Sequence, residues 1–171
     1  QNEGEIKTAK QLTINANRIN TAVDSLISSA DSLKLSGAGS SDSDIIESFI
    51  NSGNIVTDKS LTISTEVLTN EGNLQATGNL ELTAKDLTNN QSIQSNKQLN
   101  IIANKVLNGE GAQLSSLESL TIKNSDNNKV DSLNNSGTIS SKDLNLSAMI
   151  VTNHSNAVIT AEAANLSADT L

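Results

Sequence analysis

Residues 72–87 read GNLQATGNLELTAKDL, and residues 137–151 read GTISSKDLNLSAMIV. Both stretches place an apolar residue soon after a glycine, then a Leu-x-Leu pair, then a small residue and a further apolar one. A match between two stretches alone could be chance, whereas the same order throughout the chain would define the fold. Recurrence along all 171 residues would decide between the two.

The pattern occurs eight times. The second apolar residue of each pair serves as the anchor, and the eight anchors are Ile14, Leu35, Ile63, Leu82, Ile101, Ile122, Leu146 and Leu166. Successive anchors are separated by 21, 28, 19, 19, 21, 24 and 20 residues. The sequence thus has a period of about 20 residues, with two expansions.

The spacing inside each copy predicts strands. Leu12, Ile14 and Ala16 alternate with Thr13 and Asn15, which is the period of two that marks a strand with one buried face. No copy has the i, i+3, i+4, i+7 spacing of an amphipathic helix. Each copy is expected to contain three short strands, separated by Asn, Gly and Ser turns in which Gly or Asn supplies positive φ. Leucine-rich repeats have a similar period, but their Leu-x-x-Leu lead does not recur here.

Stacking the copies predicts an all-β parallel β-helix. One copy has too few aliphatic residues for a core, whereas copies stacked about 4.8 Å apart bury a continuous column of Ile and Leu. The composition agrees, because Phe49 is the sole aromatic residue and proline is absent. Stacked Asn and Thr residues are expected to form ladders. Abundant β-branched residues argue against disorder.

Charge and composition exclude several partners. The net charge of −8 and the pI near 4.5 argue against nucleic acid and anionic lipid as ligands. The sequence has no run of 18 apolar residues and therefore predicts no membrane-spanning helix. The chain lacks cysteine, so it has no disulfide and no thiolate metal site. Because it lacks an initiating methionine and a signal peptide, it is expected to be a piece of a longer chain.

The sequence predicts no catalytic residue, no metal site and no cofactor. His154 is the single histidine and is expected in an exposed turn. Polysaccharide-active enzymes also use β-helices, but they need clustered carboxylates and sugar-binding aromatic residues, and no such cluster recurs here. Asp42-Ser43-Asp44 offers too few oxygen ligands at fixed spacing for a calcium loop.

The two expansions are the candidate recognition features. About nine extra residues fall near 36–48 and about six near 123–132, both after the second strand of a copy. They are expected to project from one side of the rod, four coils or roughly 19 Å apart, as insertions in repeat proteins often do on a binding face. The alternative is tolerated decoration of a shaft. The candidate receptor-binding residues are Asp42, Asp44, Ile45, Ile46, Glu47, Asp126, Asn127, Asn128 and Lys129.

Apolar residues in the first expansion have two interpretations. Phe49 is expected in the core, because its distance to Gly53 matches that from Leu68 to Gly72. Ile45 and Ile46 exceed what a solvated loop needs. They either cap the local core or belong to an apolar contact patch.

The copies GNLQATGNLELTAKDLTNN and GTISSKDLNLSA resemble the haemagglutinin repeats of filamentous haemagglutinin-like exoproteins of bacterial two-partner secretion. The resemblance implies a right-handed β-helix, exported through an outer-membrane transporter and displayed at the cell surface as a filament. Such proteins include adhesins and effectors of contact-dependent growth inhibition. We therefore expect a non-enzymatic stalk that also binds a protein or glycan receptor, or alternatively the plain structural shaft of an autotransporter-like passenger. The fragment alone is expected to associate end to end, through its open strand edges.

Overall fold

The computed structural model describes residues 1–39, 44–126 and 129–171, and these ranges contain strands and no helix. Within them, 17 strands form one sheet in which every pairing is parallel. The sheet winds through eight coils.

The strands are numbered along the chain. Coil 1 contains β1 (Glu5–Thr8), β2 (Leu12–Asn15) and β3 (Arg18–Thr21), and coil 2 contains β4 (Leu26–Ser29), β5 (Leu33–Ser36) and β6 (Ile46–Asn51). Coils 3 to 5 contain β7 (Asn54–Thr57), β8 (Leu61–Asn70), β9 (Asn73–Ala76), β10 (Leu80–Asn89), β11 (Ser92–Ser95) and β12 (Gln98–Asn108), two strands each. Coil 6 contains β13 (Gln113–Ser116), β14 (Ser119–Lys123) and β15 (Val130–Asn135), coil 7 is β16 (Thr138–Asn153), and coil 8 is β17 (Val158–Thr170).

The predicted parallel β-helix is confirmed. Leu82 pairs with Ile63 of the preceding coil and with Ile101 of the following coil, so anchor stacks on anchor. Among the described residues, three separate strands occur only in coils 1, 2 and 6. In coils 3 to 5 the second and third segments form one continuous strand, because the corner between them is tight. In β10, for example, the pairing with β12 continues through this corner and is interrupted only at Lys85.

The core is a column of aliphatic side chains. Six anchors are buried, namely Leu35, Ile63, Leu82, Ile101, Ile122 and Leu146. The prediction of a buried anchor is wrong for Leu166, which is 50% exposed, and holds only partly for Ile14, because these two lie in the end coils and have a stacked neighbour on one side only. Phe49 is fully buried and stacks between Ile19 and Leu68, as expected of a core residue.

A buried ladder of side-chain amides runs along the third corner of the coils. Its buried members are Asn51, Asn70, Asn89, Asn108 and Asn135, and the exposed Asn153 ends it as the last acceptor. Each Nδ2 donates to the Oδ1 of the next asparagine at 2.8–2.9 Å, always in the same direction. Asn70 Nδ2 also donates to the carbonyls of Gly72 and Ser92, both at 3.0 Å. These amides are therefore paired despite their burial, which removes the cost of an unsatisfied polar group.

Gly111 and Asn156 supply positive φ as predicted, but most of the other turn glycines serve a different purpose. Positive φ occurs in the described residues only at Asp24, Gly111 and Asn156. At Gly72, instead, a Cβ atom would overlap the carbonyl oxygen of Gly53 in the preceding coil. Close approach between stacked turns, rather than left-handed backbone, requires glycine there.

Candidate recognition trough between two insertion loops

The first insertion loop, residues 37–45, leaves the coil between β5 and β6. The N–H of Gly37 donates to the carbonyl of Asp44 at 2.9 Å and closes the loop at its base. A Cβ atom on Gly37 would lie 2.6 Å from the carbonyl oxygen of Ile45, so the two sides of the base are in close contact. The two described sides of this loop are therefore held together at its base.

The chain returns from this loop through a buried aliphatic residue. Ile46 is fully buried and pairs with Thr65 of coil 3. The prediction that Ile46 contacts a receptor is therefore wrong, because its side chain belongs to the core. Ile45 points the other way and is 41% exposed.

The second insertion loop, residues 124–129, occupies the equivalent corner of coil 6, between β14 and β15. Asn124 organises its start: its Oδ1 accepts from the N–H of Asp126 at 2.9 Å, and its Nδ2 donates to Asn104 Oδ1 of coil 5 at 3.1 Å. The chain again returns through a buried aliphatic residue, Val130. Both loops thus start and end on the core, at the same corner and four coils apart.

Between the loops lies a concave strip of surface, here called the corner trough. It encloses about 240 Å³ and is lined by Ile45, Thr65, Glu66, Thr83, Ala84, Lys85, Ile102, Ala103, Asn104, Ser125 and Asp126. Its floor is formed by coils 3 to 5, and one loop stands at each end. A neighbouring depression of about 320 Å³ on the face of the second strands shares Thr83 and Ile102 with it.

One ion pair crosses the floor of the trough. Lys85 Nζ lies 2.5 Å from Glu66 Oε2 of the preceding coil. The hydrogen bond to Glu66, assisted by the charge of that carboxylate, raises the pKa of Lys85 above its usual value. The Lys85 ammonium thus lies against the Glu66 carboxylate of the neighbouring coil. Asp126, at the far end, accepts a hydrogen bond from Ser125 Oγ at 3.0 Å.

The chain matches the model of a known protein family. The haemagglutinin-repeat family model matches residues 1–74, 38–87 and 75–171, and so the whole chain. The chain belongs to the haemagglutinin-repeat family. Comparisons with curated proteins and with solved structures find no significant match. Haemagglutinin repeats are generally non-enzymatic and are associated with two-partner secretion proteins.

The predicted site residues of this haemagglutinin-repeat segment do not all reach the trough. Ile45 and Asp126 line it. Glu47 instead lies 3.3 Å from Arg18 Nε in coil 1, and Lys129 pairs with Asp169 in coil 8. Asp44 lies against Gly39, because a Cβ atom on Gly39 would overlap its carboxylate. Asp42, Asn127 and Asn128 fall outside the described residues.

Sequence reasoning missed the floor of the trough. Lys85 and Asn104 belong to regular repeats, which carry no insertion to draw attention to them. Ile102 had a detectable signal in the stretch LNIIA, where an aliphatic residue takes an outward position of the strand. The register places Ile102 level with Thr83 and Lys123, both polar.

The haemagglutinin-repeat segment shows no arrangement for metal chemistry in its described ranges. No three His, Cys, Asp or Glu side chains there are grouped so that they could hold a metal ion. His154 is exposed beside the turn that follows β16, as expected. Among the described residues, none lies in a helix suited to cross a bilayer.

Proposed function

We propose that this chain is a stiff segment of a secreted bacterial surface filament and that its corner trough binds a molecule on a target cell. The observation that carries the proposal is the placement of the insertions: both leave the same corner, both are fixed to the core, and together they bound one concavity. Insertions that share one face of a repeat protein often form its binding face.

Family membership supports the part of this proposal that concerns export and display at the cell surface. Haemagglutinin repeats are associated with two-partner secretion, so we infer export through an outer-membrane transporter and display at the cell surface. The stacked coils supply stiffness, since each contacts only its neighbours and the array grows along one axis. Either adhesion or contact-dependent inhibition would use such a rod to bring a binding surface to a neighbouring cell.

Trimming the loops tests the proposal. Deleting residues 37–45 leaves Ser36 as the one residue between Leu35 and Ile46, which is the length of the regular corner between Ile63 and Thr65. Deleting residues 124–129 likewise leaves Lys123 alone between Ile122 and Val130. Labelled intact and trimmed chains would be incubated with bacterial and epithelial cells, and circular dichroism would establish that both remain β-rich.

We expect the intact chain to bind one of these cell types and the trimmed chain to lose that binding. Equal binding by both chains, or no binding by either, would contradict a recognition role. The alternative, a plain structural shaft, would then stand.

A further inference from the structure

The floor of the trough contains an apolar spot on an otherwise polar face. The outward position occupied by Ile102 is held in the other coils by short polar residues or lysine, namely Asn15, Ser36, Ser64, Thr83, Lys123, Ser147 and Ser167. Ile102 lines the same space as the exposed Ile45. An aliphatic side chain from a partner would find apolar surface there.

The polar groups around this spot are largely engaged with one another. Glu66 pairs with Lys85, and Asn104 Oδ1 accepts a hydrogen bond from Asn124. A sugar would need many free donors and acceptors as well as an aromatic platform, and the single aromatic residue, Phe49, is buried. The trough therefore suits a ligand that contributes apolar side chains and few hydroxyl groups.

Length and charge restrict the ligand further. Loops four coils apart leave roughly 19 Å between their bases, enough for about six residues of extended polypeptide. Asp126 at one end brings a negative charge, and the one lysine of the trough, Lys85, is already paired with Glu66. The whole chain carries a charge of −8, which attracts cationic segments.

Given the proposed recognition role, we propose that the trough binds a short extended segment of a partner protein. One aliphatic side chain of the segment packs on Ile102, a second packs on Ile45 beside the first loop, and a lysine or arginine of the segment pairs with Asp126. The segment lies along the rod axis, with one insertion loop at each end.

The test uses a displayed library of random linear dodecapeptides, selected on the intact chain. Synthetic versions of the enriched peptides are then measured by fluorescence anisotropy. We expect the enriched peptides to share an aliphatic residue with lysine or arginine within a few positions on one side of it. Ile102→Asp should weaken their binding by about tenfold or more, as loss of a central apolar contact does. Asp126→Lys should weaken it and reduce its dependence on salt.

Leu107→Asp is the matched control, because Leu107 lies in the same coil, is 40% exposed and does not line the trough. It introduces the same charge and should leave peptide affinity unchanged. The inference is overturned if no peptide is enriched, if Ile102→Asp has no greater effect than Leu107→Asp, or if an oligosaccharide array is bound in place of peptides. Loss of cell binding on loop trimming, with no peptide bound, would overturn this inference and leave the recognition role intact.

Discussion

At the scale of single residues, each buried asparagine of the ladder forms several hydrogen bonds at once. Asn89 illustrates it: its Oδ1 accepts from Asn70 at 2.8 Å, and its Nδ2 donates to Asn108 at 2.9 Å and to the carbonyl of Gln113 at 3.0 Å. The side chain is completely buried. No water can replace a lost partner there without entering the rod.

We predict that Asn89→Ala lowers the free energy of unfolding by about 2–4 kcal/mol, because the substitution leaves a cavity and removes the donor of the buried acceptor Asn108 Oδ1. Urea denaturation followed by circular dichroism measures the change. Asn90→Ala, at the adjacent exposed position, should change the stability by less than about 0.5 kcal/mol. Equal effects of the two substitutions would show that the ladder does not stabilise the fold.

At the scale of elements, each insertion ends on a larger core residue than a regular corner has. Ile46 pairs with Thr65, Val130 pairs with Ala148, and Ala84 pairs with Ala103 in the uninterrupted coils. The larger side chains fill the space where the backbone leaves the coil. They therefore position the loops, and through them the ends of the trough.

Ile46→Ala should cost about 2–4 kcal/mol of stability, because it leaves a cavity beneath the first loop. It should also speed hydrogen exchange at the N–H of Gly37, which closes that loop. Ile45→Ala, at the exposed neighbour, should cost less than about 1 kcal/mol and leave the exchange unchanged. If the two substitutions speed that exchange equally, the anchoring role of Ile46 is wrong.

The sequence predicted the elements better than the site. A period of about 20 residues and the alternation around Ile14 and Leu82 were enough for strands, coil number and stacking, because burial in a solenoid follows directly from the repeat. The exposure of Leu166 and the burial of Ile46 depend on neighbours in other coils, which one repeat cannot reveal. Ile102 became meaningful only when the register placed it between two loops.

At the scale of the whole molecule, the chain is a rod with two unlike ends. At one end, Leu12 and Ile14 of coil 1 are only partly buried, and at the other Leu166 is 50% exposed. The strands of coils 1 and 8 each present backbone groups without a pairing strand on one side. The two ends are complementary in register, as successive coils are.

We predict that the 171-residue chain, produced alone, associates head to tail in a concentration-dependent manner. Sedimentation velocity over a hundredfold range of about 1–100 μM would detect it, since weak contacts of this kind populate in the micromolar range. Leu166→Lys should suppress the association, whereas Leu117→Lys, on the side of the rod and 68% exposed, should not. Sedimentation as a monomer throughout would contradict the prediction.

The regular register has a consequence for how the chain reaches this structure. Asn70 and Asn89 are 19 residues apart, as are Asn89 and Asn108, so each rung needs only the coil beside it. The contact order is therefore low for a parallel sheet, and the costly event is formation of the first pair of coils. After that, each further coil pairs with the edge of a folded coil, on which the asparagine side-chain donors already point in one direction. The chain can then fold one coil after another, starting from one end.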